Sequence, residues 1–228
     1  MKADIFQRLL AARQARTSCA LVTRIADGCQ ALVVDGNSAG DLVLSTAQLE
    51  EIAARLVADS SGPLAVDTAL FVRIYAQPSR LIVVGAVHIT QFLAPMAAMA
   101  GFAVTVIDPR RAFANSDRFP DVALTDEWPD EAMARLAPDR QTAVVTLTHD
   151  PKLDDPALVA ALASQAFYIG ALGSKKTHAK RLERLTELGL GEQTTRIHAP
   201  VGLDLGGRAP AEIAVAVLAQ IIQVKHRS

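Results

Sequence analysis

Residues able to do chemistry gather in a few short stretches, each placed just after an apolar run. Gly85-Ala86-Val87-His88 follows one run, Asp108-Pro109-Arg110-Arg111 a second, His149-Asp150-Pro151 a third, and Ala171-Leu172-Gly173-Ser174-Lys175-Lys176 a fourth. A glycine turn after a strand can hold a phosphate. Its dinucleotide-binding form needs small residues for the turn, for backbone approach to pyrophosphate and for helix packing. Here those positions read Gly85, Val87 and Thr90, so the β-branched valine crowds the pyrophosphate spot. Asp108 stands where a ribose-binding acid belongs. The alternative is a Rossmann-like scaffold that binds no dinucleotide in the usual pose.

The Gly173–Lys176 segment suggests an anion site of another kind. Ser174 is suited to cap a helix whose first turn then holds Lys175 and Lys176, with Lys180, Arg181 and Arg184 continuing the basic character. The helix dipole opposes cations there by ~0.3–1 kcal/mol each, and a bound phosphate would offset that. Gly170 and Gly173 add backbone freedom; a solvated basic face is the alternative. A further loop, Gly202-Leu203-Asp204-Leu205-Gly206-Gly207-Arg208, can offer backbone N–H groups and the forked guanidinium of Arg208, or can simply be a tight turn. His149-Asp150 permits acid/base work or plain loop hydrogen bonding. A metal enzyme built on His88, His149 and His198 lacks any H-x-x-H, H-E-x-x-H or C-x-x-C spacing, so no metal is assigned.

The elements that must position these residues alternate from Arg80 onward. The runs LIVVG, FAVTVID, VALTD, TAVVTLT and FYIG read as strands. Helices are predicted over His88–Ala100, Glu131–Leu136, Pro156–Ala163 with Asp155 as N-cap, Ser174–Leu188 and Pro210–Lys225. This is an α/β pattern: a Rossmann-like parallel sheet with helices on both faces, whose ligands bind beyond the carboxyl ends of the strands. Ahead of it, residues 4–15 are helical, with Ile5, Leu9 and Ala12 in line. CALVTRI and QALVV flank the turn Ala26-Asp27-Gly28, a second turn follows at Asp35-Gly36-Asn37, a helix starts with Thr46 as cap, and LFVRIYA is a strand. The expected domains are a small α+β unit over 1–78 and a Rossmann-like unit over 79–228, joined at Gln77-Pro78-Ser79.

Composition excludes several classes. With 23 Lys+Arg against 24 Asp+Glu over 228 residues, the net charge of -1 argues against a nucleic-acid-coating protein. The neutrality is an average, since the acid-leaning residues 41–67 cancel the basic residues 173–185. Cys19 and Cys29 are too few for a disulfide framework and read as buried small hydrophobes, which fits a reducing cytosol. Asp4, Arg8, Arg13 and Arg16 are not followed by an apolar segment, so no secretory leader is expected. Residues 81–107 carry no charge, but Gly85, His88, Pro95 and Gly101 interrupt them. They read as a buried β-α-β unit and not as a membrane span.

Taken in order, RLIVVGAVHI, VTVIDPR, VVTLTHDPKLD, YIGALGSKKTHAKRL and RIHAPVGLDLGGRAPAEIAVAVLAQI resemble the XdhC/CoxI family across residues 80–228. Members are maturation factors for molybdenum hydroxylases such as xanthine dehydrogenase and carbon monoxide dehydrogenase. The resemblance implies a cytoplasmic chaperone more than a catalyst. It would bind the molybdenum cofactor, molybdopterin or its dinucleotide form, protect it during sulfuration, and deliver it to the apo-enzyme. A sulfurtransferase is a further implied partner, and a homo-oligomer is left open. Phosphate contacts would come from Lys175, Lys176 and Arg208, and backbone approach from Gly85, Gly173 and Gly206. Asp108 and His149 would make polar contacts, with His88 and Ser174 beside them. Long members carry GGGC- and CGG-type segments where this chain reads SAGDLVLSTAQLEE, so no cysteine-dependent role is carried over. The alternative function is an NAD(P)-dependent oxidoreductase, which Val87 disfavours.

Overall fold

Apolar alternation builds the first unit, Met1–Gln77. The computed structural model describes residues 2–110, 118–120 and 122–227. Strands β1 (Cys19–Arg24), β2 (Gln30–Val34), β3 (Asn37–Gly40), β4 (Gly62–Pro63) and β5 (Leu70–Tyr75) form an antiparallel sheet in the order β3-β2-β1-β5-β4. Successive side chains of a strand point to opposite faces. Ala20 and Val22 accordingly pack with Ile52 of α2 (Thr46–Ala58), while Cys19 and Leu21 pack with Ile5 and Leu9 of α1 (Ala3–Gln14). Asp35 and Gly36 both take positive φ, which turns the chain straight into β3, a strand that the sequence reading leaves as turn and loop.

The cap of α2 is Ser45 and not Thr46. Ser45 Oγ accepts from Gln48 N, and Gln48 Oε1 accepts from Ser45 N at 2.8 Å. Reciprocity decides the position: three residues after Thr46 stands Leu49, which has nothing to return.

The second unit, Pro78–Ser228, is built on a six-stranded parallel sheet. Its strands are β6 (Arg80–Val84), β7 (Ala103–Ile107), β8 (Ala123–Thr125), β9 (Thr142–Thr146), β10 (Tyr168–Ala171) and β11 (Ile197–His198). The order β11-β10-β9-β6-β7-β8 is that of a doubly wound dinucleotide-binding sheet, with its switch point between β6 and β9. Leu81 and Val83 face a core shared with α3 (His88–Met99) and α7 (Pro210–Lys225). Ile82 and Val84 face another, shared with α4 (Pro129–Leu136), α5 (Pro151–Ala163) and α6 (Lys175–Glu187). Helices on both faces explain why these strands are apolar at nearly every position. The charge-free stretch 81–107 is β6, α3 and β7, and among the described residues no helix is long and apolar enough to cross a membrane.

Two further helix starts differ from expectation: α4 begins at Pro129, two residues before Glu131, and α5 also begins early. α5 begins at Pro151, and Asp150 is its cap, accepting from Lys152 N at 3.0 Å. The Asp-Pro pair at 150–151 supplies the same cap-and-proline start as Asp155-Pro156 but earlier in the chain. The helix then runs through Pro156, forgoing one i→i−4 hydrogen bond.

Candidate functional site

The carboxyl ends of β6, β7, β9 and β10 bring most of the expected residues to one edge of the sheet, but not into one cluster. At the switch point, Gly85 has φ +114, and a Cβ built there would lie 2.7 Å from Thr148 Cγ2. The space left by the missing side chain is thus filled by the neighbouring loop. Val87 packs against the core, and the buried Thr90 hydroxyl donates to Gly85 O at 2.5 Å. His88, at the first position of α3, is exposed. The turn is closed by its own Thr90 and by Thr148 of the neighbouring loop.

Asp108 is fully buried and engaged on both oxygens. Oδ1 accepts from Arg110 N at 3.0 Å and Arg110 Nε at 2.8 Å; Oδ2 accepts from Ala86 N and Arg110 Nη2, both at 2.8 Å. Burial pushes its acidity toward the neutral form, but the bidentate Arg110 and the two backbone donors outweigh this and hold it below the usual carboxylate range. A ribose hydroxyl would have to compete with a forked, charge-assisted pair. Arg111 lies outside the described residues.

The basic segment is different. Ser174 caps α6, its Oγ accepting from Thr177 N at 3.2 Å, and Gly173 precedes it with φ +143. Beside this helix start lies a cavity of about 300 Å³ lined by His149, Pro151, Asp154, Lys176, Thr177, Lys180, Arg181 and Arg184. His149, exposed and held at φ +61 on the loop after β9, and Lys176, in the first turn of α6, are therefore brought together. Lys175 does not line the cavity; it is exposed on the same turn.

The floor of this cavity is a buried polar link that sequence reasoning did not single out. Asp154 and Arg181 are 1% and 2% exposed, and Arg181 Nη2 lies 3.4 Å from Asp154 Oδ2. Thr148 Oγ1 donates to Asp154 Oδ1 at 2.6 Å, and Arg181 Nη2 also donates to Leu172 O at 3.1 Å. Burial drives Asp154 up despite Thr148 and Arg181, and drives Arg181 down despite Asp154. Arg181 Nε and Nη1 have no hydrogen-bond partner among the described residues. Arg184 is paired bidentately with Asp155. The signal for this face was present as Lys176, Lys180 and Arg184 at i, i+4 and i+8, one stripe of a helix.

Two expected contributors stand apart. At the start of α7, Glu212 Oε2 accepts from Arg208 N at 2.9 Å and Ala209 N at 3.0 Å, so a carboxylate of the protein itself occupies that anion position. Gly206 and Arg208 are exposed on this loop and do not line the cavity. His198 stacks on Tyr168 with ring centroids 4.7 Å apart, and burial lowers its pKa. Among the described residues no three His, Cys, Asp or Glu side chains converge as a metal site. Cys19 is buried and Cys29 half-buried; burial raises both thiols above their ordinary value.

Comparison with known proteins places this unit. The family model described as the XdhC Rossmann domain matches residues 81–221. The Escherichia coli (strain K12) molybdenum cofactor insertion chaperone PaoD is 42% identical over 106 residues, covering 46% of this chain and 33% of PaoD. A Bacillus subtilis (strain 168) protein, described as a probable component of xanthine dehydrogenase, is 34% identical over 161 residues, covering 70% of this chain and 47% of that protein. The chain spans about a third to a half of the length of the curated relatives it matches. A crystal structure described as that of a xanthine dehydrogenase from Bacillus halodurans superposes with a TM-score of 0.75 at 24% identity, covering 96% of this chain and 62% of that one, which is a likeness of fold. With a family model that runs from β6 into α7, the chain belongs to the XdhC family.

Proposed function

We propose that the chain is a maturation factor for a molybdenum hydroxylase of the xanthine or carbon monoxide dehydrogenase type. It binds molybdenum cofactor, holds it through sulfuration and passes it to the apo-enzyme. The observation that carries this reading is the XdhC match over residues 81–221, together with 106 residues that resemble a molybdenum cofactor insertion chaperone. The donor set supports it chemically, because the cofactor carries a phosphate and four cationic side chains line the cavity beside α6. The oxidoreductase alternative draws on the strand order. Against it stand the closed Gly85 turn and the engagement of Asp108 by Arg110.

The role is to bind and shield, and the residues suited to it are His149, Lys176 and the Gly173-Ser174 turn. The family resemblance adds a sulfurtransferase to its partners, as a donor acting on the bound cofactor; burial raises both thiols of this chain above their ordinary value. Protein purified from a host that makes the cofactor is expected to carry a fluorescent pterin oxidation product, and protein from a host unable to make it none. Absence of pterin from the first preparation, together with no anaerobic binding in vitro, would refute the proposal.

A further inference from the structure

We propose that the cavity beside α6 is a phosphate-dianion pocket, in which Arg181, Lys176 and Lys180 hold the three terminal oxygens of a phosphomonoester or of free phosphate. The oxyanion chemistry stands on the cavity alone; that the organic part is a pterin rests on the maturation-factor reading above.

Arg181 supplies the observation that a basic helix start by itself would lack. It lines the cavity, is 2% exposed, and leaves Nε and Nη1 without an acceptor among the described residues. An unmet buried donor is costly, and a charged one more so. Its carboxylate partner, Asp154, is 3.4 Å away and shares its other oxygen with Thr148, so the pair leaves the guanidinium undersupplied. Both atoms are closed to solvent, so an incoming oxyanion would meet that deficit by drawing the guanidinium toward the cavity that Arg181 lines. Arg184 brings no comparable surplus, since Asp155 takes its fork. Lys176 and Lys180, both exposed, bring two further charges on flexible stems that can fold over a ligand. The first-turn N–H groups of α6 open on the same end of the helix.

Size limits what enters. A cavity of about 300 Å³ is at the lower end for small-molecule sites. It accommodates a phosphate and the first atoms attached to it, and the rest of a phosphorylated ligand lies outside, toward His149 at the rim.

The test is a titration of the full chain with inorganic phosphate at low ionic strength, followed by calorimetry and by the arginine Nε–H signals in nitrogen-15 NMR, with Arg181→Lys used to assign the Arg181 signal. Saturable binding with a shift of that signal is expected. K176A/K180A, which alters only exposed side chains, is expected to weaken binding at least about tenfold, as loss of charge-assisted contacts does. K175A, one residue away and outside the cavity, is expected to stay within about twofold. Equal weakening by K175A would mean a diffuse basic face and overturn the pocket, as would a stationary Arg181 signal or no saturable binding. Pterin retained by a protein that binds no phosphate would sink the pocket and leave the maturation role standing. Phosphate binding in a protein that never takes up pterin would do the reverse.

Discussion

Single residues at the sheet edge divide into those turned inward and those left available. Gly85 belongs to the first kind. Its positive φ and the 2.7 Å approach to Thr148 Cγ2 both forbid a side chain, so G85A is expected to lose about 1–3 kcal/mol of stability in urea denaturation. An unchanged midpoint would show that the Thr148 loop yields freely. The glycine itself was legible from sequence, as was its place after a strand. What its vacancy faces was not, because that depends on a loop more than sixty residues later in the chain. Arg181 shows the same limit. Its charge and helix are plain in the sequence, whereas its burial follows from how α6 sits on the first turn of α5, where Asp154 waits.

At the scale of elements, caps decide where helices start, and caps depend on partners. Asp150 is expected to contribute about 1 kcal/mol through its bond to Lys152 N, a loss that denaturation of D150A would register. If instead D155A were the more damaging through capping, the start of α5 would be misplaced. That control is confounded by the Asp155–Arg184 pair, which R184A isolates. The long helices and the central strands were readable because periodicity accumulates along them. β3 and the two-residue β11 were not, since each exists only through its neighbour: β11 is defined by Ile197 opposite Ile169 and His198 opposite Gly170. The α7 loop taught a related lesson. Its glycines and arginine look like an anion site until Glu212 is seen folded back onto Arg208 N and Ala209 N.

For the whole molecule, alternation of strands and helices was enough to give a parallel sheet covered on both faces, and the order of its strands then fixes which loops meet. The candidate site was legible in its basic stripe and in His149, but not in its buried floor. Stability of the whole should fall in acid for an identifiable reason. Burial lowers His198, and burial with Arg181 nearby lowers His178. A depressed histidine contributes stability that is present above its unfolded value near ~6.5 and lost as pH falls through the folded value. The thermal midpoint is therefore expected to drop between about pH 7.5 and about pH 5.5, and H198F, which keeps a ring against Tyr168, should reduce that drop. A slope unaltered by H198F would assign the acid loss elsewhere. The central position of β6 has a last consequence, for synthesis. It is the first strand of its sheet to leave the ribosome, yet one of its two edges waits for Thr142–Thr146. Until β9 emerges, the apolar run Leu81–Val84 of β6 has an open edge, so a nascent chain halted before residue 142 would be a target for chaperones and for aggregation.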